Sequence, residues 1–239
     1  MGSFYRDNDD IRFYVERGID WEPLVGLTEY NFRARDGHSN TAEALQFYGE
    51  ILDLVGSFVA DEVAPHAAAI DRFGVKLEGG EVQMAPEMNA IFDKLKGLDL
   101  HGLCLPRELG GHNCPVMVFQ FTNEMFSRAD ASVVAHHGFH GGMAMAMLIF
   151  SIREGSARFN KEKWQVEDVR FAAWIEEIRA GDAWGCMDIT EPDAGSDMAA
   201  LRCAAALDAD GIWRLNGQKI FITYGDHDMT ENIIHLVLA

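Results

Sequence analysis

Apolar residues recur at helical spacing through most of the chain. Leu45, Tyr48, Leu52, Val55 and Val59 fall on one face of a helix that Pro65 closes, and Asn40-Thr41-Ala42-Glu43 ahead of them resembles a capping box. A charged turn with Gly79 and Gly80 follows. Pro86 stands where a helix favours its first residue, with Ile91, Phe92 and Leu95 inward and Gly97 as the stop. LCLPRELGGHNCP reads as a loop between helices. Pro115 opens a helix running to Arg128, and Asp130 caps a Met-rich helix that reaches about Ile152. Residues 164–179 read as a last amphipathic helix, ended by Gly181.

The period then changes. AWGCMDI has strand character and LRCAAAL a weaker one. Asp210-Gly211 and Asn216-Gly217 are tight-turn dipeptides around IWRL, with QKIFIT as the next strand and NIIHLVLA as another. The expected fold class is α+β, an all-helical N-terminal bundle followed by an incomplete antiparallel β domain. The units are an N-terminal extension over 1–40, a helical domain over 41–181 and a β domain over 182–239. These strands are too few to close a barrel or sandwich without exposed edges, so the β domain is expected to be truncated.

Composition narrows the function classes. With 239 residues, 48% of them hydrophobic, the chain can bury a sizeable core. Its formal charge of −18 argues against nucleic acid and against an anionic membrane surface, which both select Lys and Arg. An anionic small ligand stays possible, because backbone N–H groups bind phosphate without net positive charge. The N-terminus is polar where a signal peptide would be apolar, and the most apolar run, 143–152, is too short to span a bilayer. Cys104, Cys114, Cys186 and Cys203 lack paired spacing, so neither disulfides nor zinc are expected, and a reduced, cytoplasmic setting is.

The chemistry-bearing stretch is DITEPDAGSD, residues 188–197. Alone, its crowd of Asp188, Thr190, Glu191, Ser196 and Asp197 reads as a polar surface loop. In context it leaves a strand and precedes a DG turn and LNGQKIFIT. That combination resembles the acyl-CoA dehydrogenases, flavoproteins that desaturate acyl-CoA thioesters. LPRELGG and RADASVVAHHGFH also match the helical part of that family. The N-terminal lead and the GDHDMTENIIHLVLA ending are most similar to its large subgroup that includes methylmercaptopropionyl-CoA dehydrogenase. The family usually has a small residue where Asp188 stands, and Trp is common where Phe221 stands.

The resemblance implies FAD as cofactor. Met187, Ile189 and Thr190 would contact the flavin through main chain and hydroxyl, and Gly195 would let the backbone approach it. Ser196 would add a hydroxyl near the phosphates and the CoA arm. Phe221 and Ile222 would offer apolar surface, and Thr223 would bond the reactive ring nitrogen. Glu191 and Asp197 are expected to orient the turn rather than act as acid or base. In the family the catalytic base is a Glu on a helical domain after the β domain, so no catalytic residue is assigned here. The implied partners are an acyl-CoA substrate, an electron-transfer flavoprotein or similar acceptor, and further copies of the same chain. A non-catalytic flavin- or protein-binding relative is the alternative.

Two other constellations suggest metals. His136 and His140 stand one helical turn apart without a third ligand, and Cys104, His112 and Cys114 fall in a loop that carries the resemblance. No metal is expected at either. The resemblance places this region near the acyl-chain cavity, so Phe139, Met143, Met145 and Met147 are candidates for core, for acyl-pocket lining, or for both. It implies His136, Phe139 and Met143 as substrate contacts alongside Ser196. Neither a Gly-rich phosphate loop nor a Gly-x-Ser-x-Gly nucleophile elbow occurs.

Overall fold

The polar N-terminal segment is folded onto the helices. In the computed structural model, which describes residues 2–34 and 36–239, the Asn8 side chain accepts from the N–H groups of Asp10 and Ile11 and opens α1 (Asp9–Phe13). A π-helical turn, Tyr14–Gly18, leads to α2 (Trp21–Thr28). Ile11, Trp21 and Val25 join the main core. Glu29, just past α2, has no exposed surface. Arg107 grips both its oxygens, at 2.8 and 2.6 Å. A bidentate pair of this kind leaves neither charge alone.

Asn40 caps α3 (Thr41–Phe58), accepting from the Glu43 N–H at 2.9 Å. The reciprocal half of the capping box is shifted by one residue, since Glu43 accepts from the Ser39 N–H at 2.8 Å. A π-helical turn, Val59–Val63, extends the helix toward Pro65. After α4 (Ala67–Phe73), the expected turn is a small hairpin of β1 (Lys76–Glu78) and β2 (Glu81–Gln83), bent at Gly79 and Gly80. Pro86 opens α5 (Pro86–Lys96), which buries Met88, Ile91, Phe92 and Leu95.

Pro115 precedes α6 (Val116–Ala129) without a capping bond, and Asp130 caps α7 (Ala131–Arg153) by accepting from the Ser132 and Val133 N–H groups at 2.8 and 3.0 Å. By length and composition α7 could cross a membrane. Here it is the central helix, flanked by α6, by α8 (Ala172–Ala180) and by β5 (Ala183–Asp188). The helix expected over 164–179 is therefore half its length. Trp164 and Asp168 have φ of 55° and 60°, which no right-handed helix admits. The chain there forms β3 (Arg158–Asn160) and β4 (Gln165–Glu167) instead. Gly181, at φ 76°, ends α8.

The α+β class holds, with corrections in the β half. β6 (Ala204–Leu207) and β7 (Trp213–Asn216) form an antiparallel hairpin around Asp210-Gly211. The Asp208 carboxylate secures that turn, accepting from Asp210 and Ile212 at 3.0 and 2.9 Å. However, β8 (Asn232–Val237) runs parallel to β5, so the β half is not wholly antiparallel. The hairpin and the loop after it carry the chain back to the start of β5 before β8 begins. Asn216-Gly217 makes no second hairpin, because QKIFIT is not a strand.

The Glu29–Arg107 pair generates a stability prediction. Arg107→Ala leaves a carboxylate buried alone and should cost about 3–5 kcal/mol in urea unfolding. Replacing both residues, Glu29→Leu with Arg107→Met, should recover most of that loss.

Candidate flavin-facing turn and neighbouring cavity

Glu191 organises the ITEPDAGSD turn. Its carboxylate is buried. It accepts from the Arg202 N–H at 2.6 Å, from the Cys203 N–H at 2.9 Å and from Lys219 Nζ at 2.9 Å. The Cys203 thiol beside it, Lys219 and the Arg202 N–H hold its carboxyl down to about 2. Reciprocal backbone bonds between Glu191 and Ala194, 2.9 and 3.1 Å, close the turn. Asp197 accepts from the Ala199 N–H at 3.2 Å and caps a single 3₁₀ turn, Met198–Ala200. Both acids are therefore spent on holding the turn, Glu191 through backbone and Lys219, and Asp197 through backbone.

The same contacts stitch the turn to KIFIT. Lys219 Nζ also donates to the Ile189 carbonyl at 2.9 Å, and the Ile220 N–H donates to the Thr190 carbonyl at 2.9 Å. Diverted to the turn, 221–223 have no strand beside them. Phe221 has φ of 56° and is 88% exposed. Strand alternation consequently does not assign faces to Phe221, Ile222 and Thr223.

Thr223 and Tyr224 enter a cavity of about 540 Å³ between this loop and the helices. Its walls are mainly apolar, from Ile70, Val75, Met84, Ala85 and Met88, with Asp71, Asp130 and Ser132 as polar members. The Tyr224 hydroxyl donates to the Ser132 carbonyl at 3.0 Å, tying the loop to the start of α7. Across the turn, Met187 is 40% exposed, Ile189 and Thr190 are half-buried, and Gly195 and Ser196 face open space. A Cβ at Gly195 would meet nothing within 4 Å. The turn thus offers an apolar side chain and open backbone, and the loop stitched to it lines the cavity through Thr223 and Tyr224.

Two family models match the chain, the acyl-CoA dehydrogenase N-terminal domain over residues 48–164 and the acyl-CoA dehydrogenase middle domain over 186–236. The chain belongs to the acyl-CoA dehydrogenase family. The 3-methylmercaptopropionyl-CoA dehydrogenase of Ruegeria pomeroyi is 34% identical to it over 205 residues, 82% of this chain and 32% of that protein. The mitochondrial isovaleryl-CoA dehydrogenase of Arabidopsis thaliana is 29% identical over 171 residues, 72% of this chain and 36% of that one. The chain thus spans roughly a third of the length of these relatives. The FAD complex of an acyl-CoA dehydrogenase from Bacillus anthracis shares its fold, with a TM-score of 0.54 and 21% identity over 74% of this chain and 26% of that one.

Trp184 lies in the gap between the two matched acyl-CoA dehydrogenase domains and packs against the first. Its ring stacks on His136 at 3.6 Å and lies 3.8 Å from His140, with Phe92 and His101 at 4.8 and 5.4 Å. His136 thus belongs to this block, with the ring of the cavity residue Tyr224 4.1 Å away between ring centres. Met143 packs on Gly185, where a Cβ would come within 2.6 Å of it. His136, Phe139 and Met143 do not line the cavity. The cavity residues Ile70, Met84, Met88 and Tyr224 carry no motif, and only their meeting in space marks them.

Burial pushes His101 down to about 3 and His137 to about 4, and holds His136 and His140 well below the usual imidazole range. Repulsion among the rings adds to this for His101, His136 and His140. All four stay neutral in the folded chain while the unfolded chain takes up protons below about pH 6.5. Stability should therefore be steady above that pH and fall as pH drops from about 6.5 toward 4. Urea midpoints measured across this range should decline, and His101→Phe should flatten the decline.

Proposed function

We propose that this chain supplies the helical and middle-domain portion of an FAD-dependent acyl-CoA dehydrogenase that desaturates an acyl-CoA thioester between its α and β carbons. The reading rests on one observation: the Glu191–Lys219 stitch brings the ITEPDAGSD turn and the Thr223 loop together beside an apolar cavity. The residues present fit a flavin. Exposed Met187 and Phe221 offer apolar surface to a ring, and the open backbone at Gly195 with the Ser196 hydroxyl suits a pyrophosphate. Bound there, FAD supplies the hydride acceptor for the β carbon.

The chain's own residues bind and orient. Met187, Ile189 and Thr190 would hold the flavin's polar edge through main chain and hydroxyl, Ile222 would back it, and the Thr223 hydroxyl would hydrogen-bond to it. Ser196 meets the CoA arm. The acyl tail enters the cavity past Thr223, rather than the α7 interior where His136 and Met143 are packed. Abstraction of the α proton needs a carboxylate in an apolar site. Glu191 is committed to Arg202, Cys203 and Lys219 and does not serve. The base, the electron-transfer flavoprotein or similar acceptor, and assembly with further copies belong to the whole enzyme.

The test mixes the purified chain with FAD, short to long acyl-CoA thioesters and an artificial electron-accepting dye. FAD should bind weakly and no acyl-CoA-dependent dye reduction should follow, since a positioned base is worth about a hundred- to ten-thousand-fold in rate. Thr223→Val should weaken FAD binding by about 0.5–1.5 kcal/mol. Substantial dye reduction would put the base within these residues. Unchanged FAD affinity in Thr223→Val would remove Thr223 from the flavin face.

A further inference from the structure

The parallel pairing of β5 with β8 gathers three side chains that are metal ligands by chemistry. His235 lies opposite Cys186 in the register, and Asp188 follows Cys186 by two residues on the same face. Cys186 Sγ is 3.0 Å from His235 Nδ1 and 3.3 Å from Asp188 Oδ1, and His235 Nδ1 is 3.0 Å from Asp188 Oδ2. One ligand atom from each residue lies within 4.8 Å of the others. Cys186 and Asp188 are buried, while 38% of the His235 side chain is exposed and leaves an approach from solvent.

Zinc bonds of about 2.0–2.3 Å in a tetrahedron set neighbouring donors roughly 3.3–3.6 Å apart. Cys186 Sγ and His235 Nδ1, 3.0 Å apart, need to spread by roughly half an ångström to accept an ion, with one Asp188 oxygen, within 4.8 Å of both, as the third donor. A thiolate and a carboxylate together offset a divalent charge, and the imidazole adds a neutral donor. One sulfur, one nitrogen and one oxygen suit a borderline cation rather than calcium or magnesium, which prefer all-oxygen shells.

We propose that Cys186, Asp188 and His235 form a binding site for a divalent cation of the zinc class, with the fourth position open to solvent beside His235. The ion clamps β8 to β5 across a parallel pair that has no other strand against it among the described residues. The proposal is independent of the flavin reading.

The experiment titrates the metal-free chain with Co²⁺ alone and then with Zn²⁺. One Co²⁺ should bind per chain with a sulfur-to-cobalt charge-transfer band, and Zn²⁺ should displace it and raise the melting temperature. Cys186→Ser should abolish the band, and Cys104→Ser should leave it unchanged. Loss of a direct ligand in His235→Gln should weaken binding by more than about a hundredfold, beyond what supporting groups carry. Because Cys186→Ser could misfold, X-ray absorption of the unmutated zinc-loaded chain gives a second readout. One sulfur with two or three nitrogen or oxygen neighbours supports the site. No cobalt band, a band that survives in folded Cys186→Ser, or a zinc shell without sulfur would reduce the cluster to a hydrogen-bonded triad and overturn the proposal.

Discussion

The β half of this molecule hangs on Trp184. It is the second residue of β5, it is 1% exposed, and its ring fills the space between Phe92, His101, His136 and His140. Truncating a buried ring of this size typically costs about 3–5 kcal/mol, a large share of the roughly 5–15 kcal/mol that holds a domain together. With Trp184 fixed, Gly185 can lie flat on Met143, and the strand leaves the helices in one direction only. Ile189 and Thr190 then emerge where Lys219 and Ile220 reach their carbonyls. The ITEPDAGSD turn is thus placed by a packing contact in the helical core. Neutral imidazoles around the indole are the cost of that arrangement, and they make the same contact sensitive to acid.

An acidic chain is usually read as a solvated surface, but many of these carboxylates are structural acceptors. Asp130, Asp197 and Asp208 each take backbone N–H groups at a helix start or a turn. Glu29 and Glu191 are buried and bound by Arg107 and Lys219. The helix and turn ends that these acids satisfy would otherwise present unpaired donors. At Glu191 the device does more, since one carboxylate joins three segments that are distant in sequence.

Where local chemistry decides, the sequence was readable. Asn40, Pro86, Asp130 and Gly181 each mark a helix end because a cap or a left-handed φ depends on one residue type. The family resemblance rested chiefly on the ITEPDAGSD and KIFIT words, and Lys219 and Ile220 bond the second to the first. Contacts across long separations were not legible. Nothing near Trp164 or Asp168 announces their positive φ, so a helix was expected where a hairpin stands. The Asn216-Gly217 turn promised a strand in QKIFIT, yet Lys219 and Ile220 are claimed by the ITEPDAGSD turn. Cys186, Asp188 and His235 have no motif spacing, because 47 residues and a parallel pairing separate His235 from Asp188.

The central claim is that the turn and the Thr223 loop act as one flavin-binding face, joined through Glu191. Amide hydrogen exchange of the chain with and without saturating FAD tests it most directly. The account predicts that FAD slows exchange in 187–196 and 219–224 together, and that Glu191→Gln uncouples the two segments while leaving α3 to α7 protected. Protection confined to one segment, or appearing only in the helices, would contradict it.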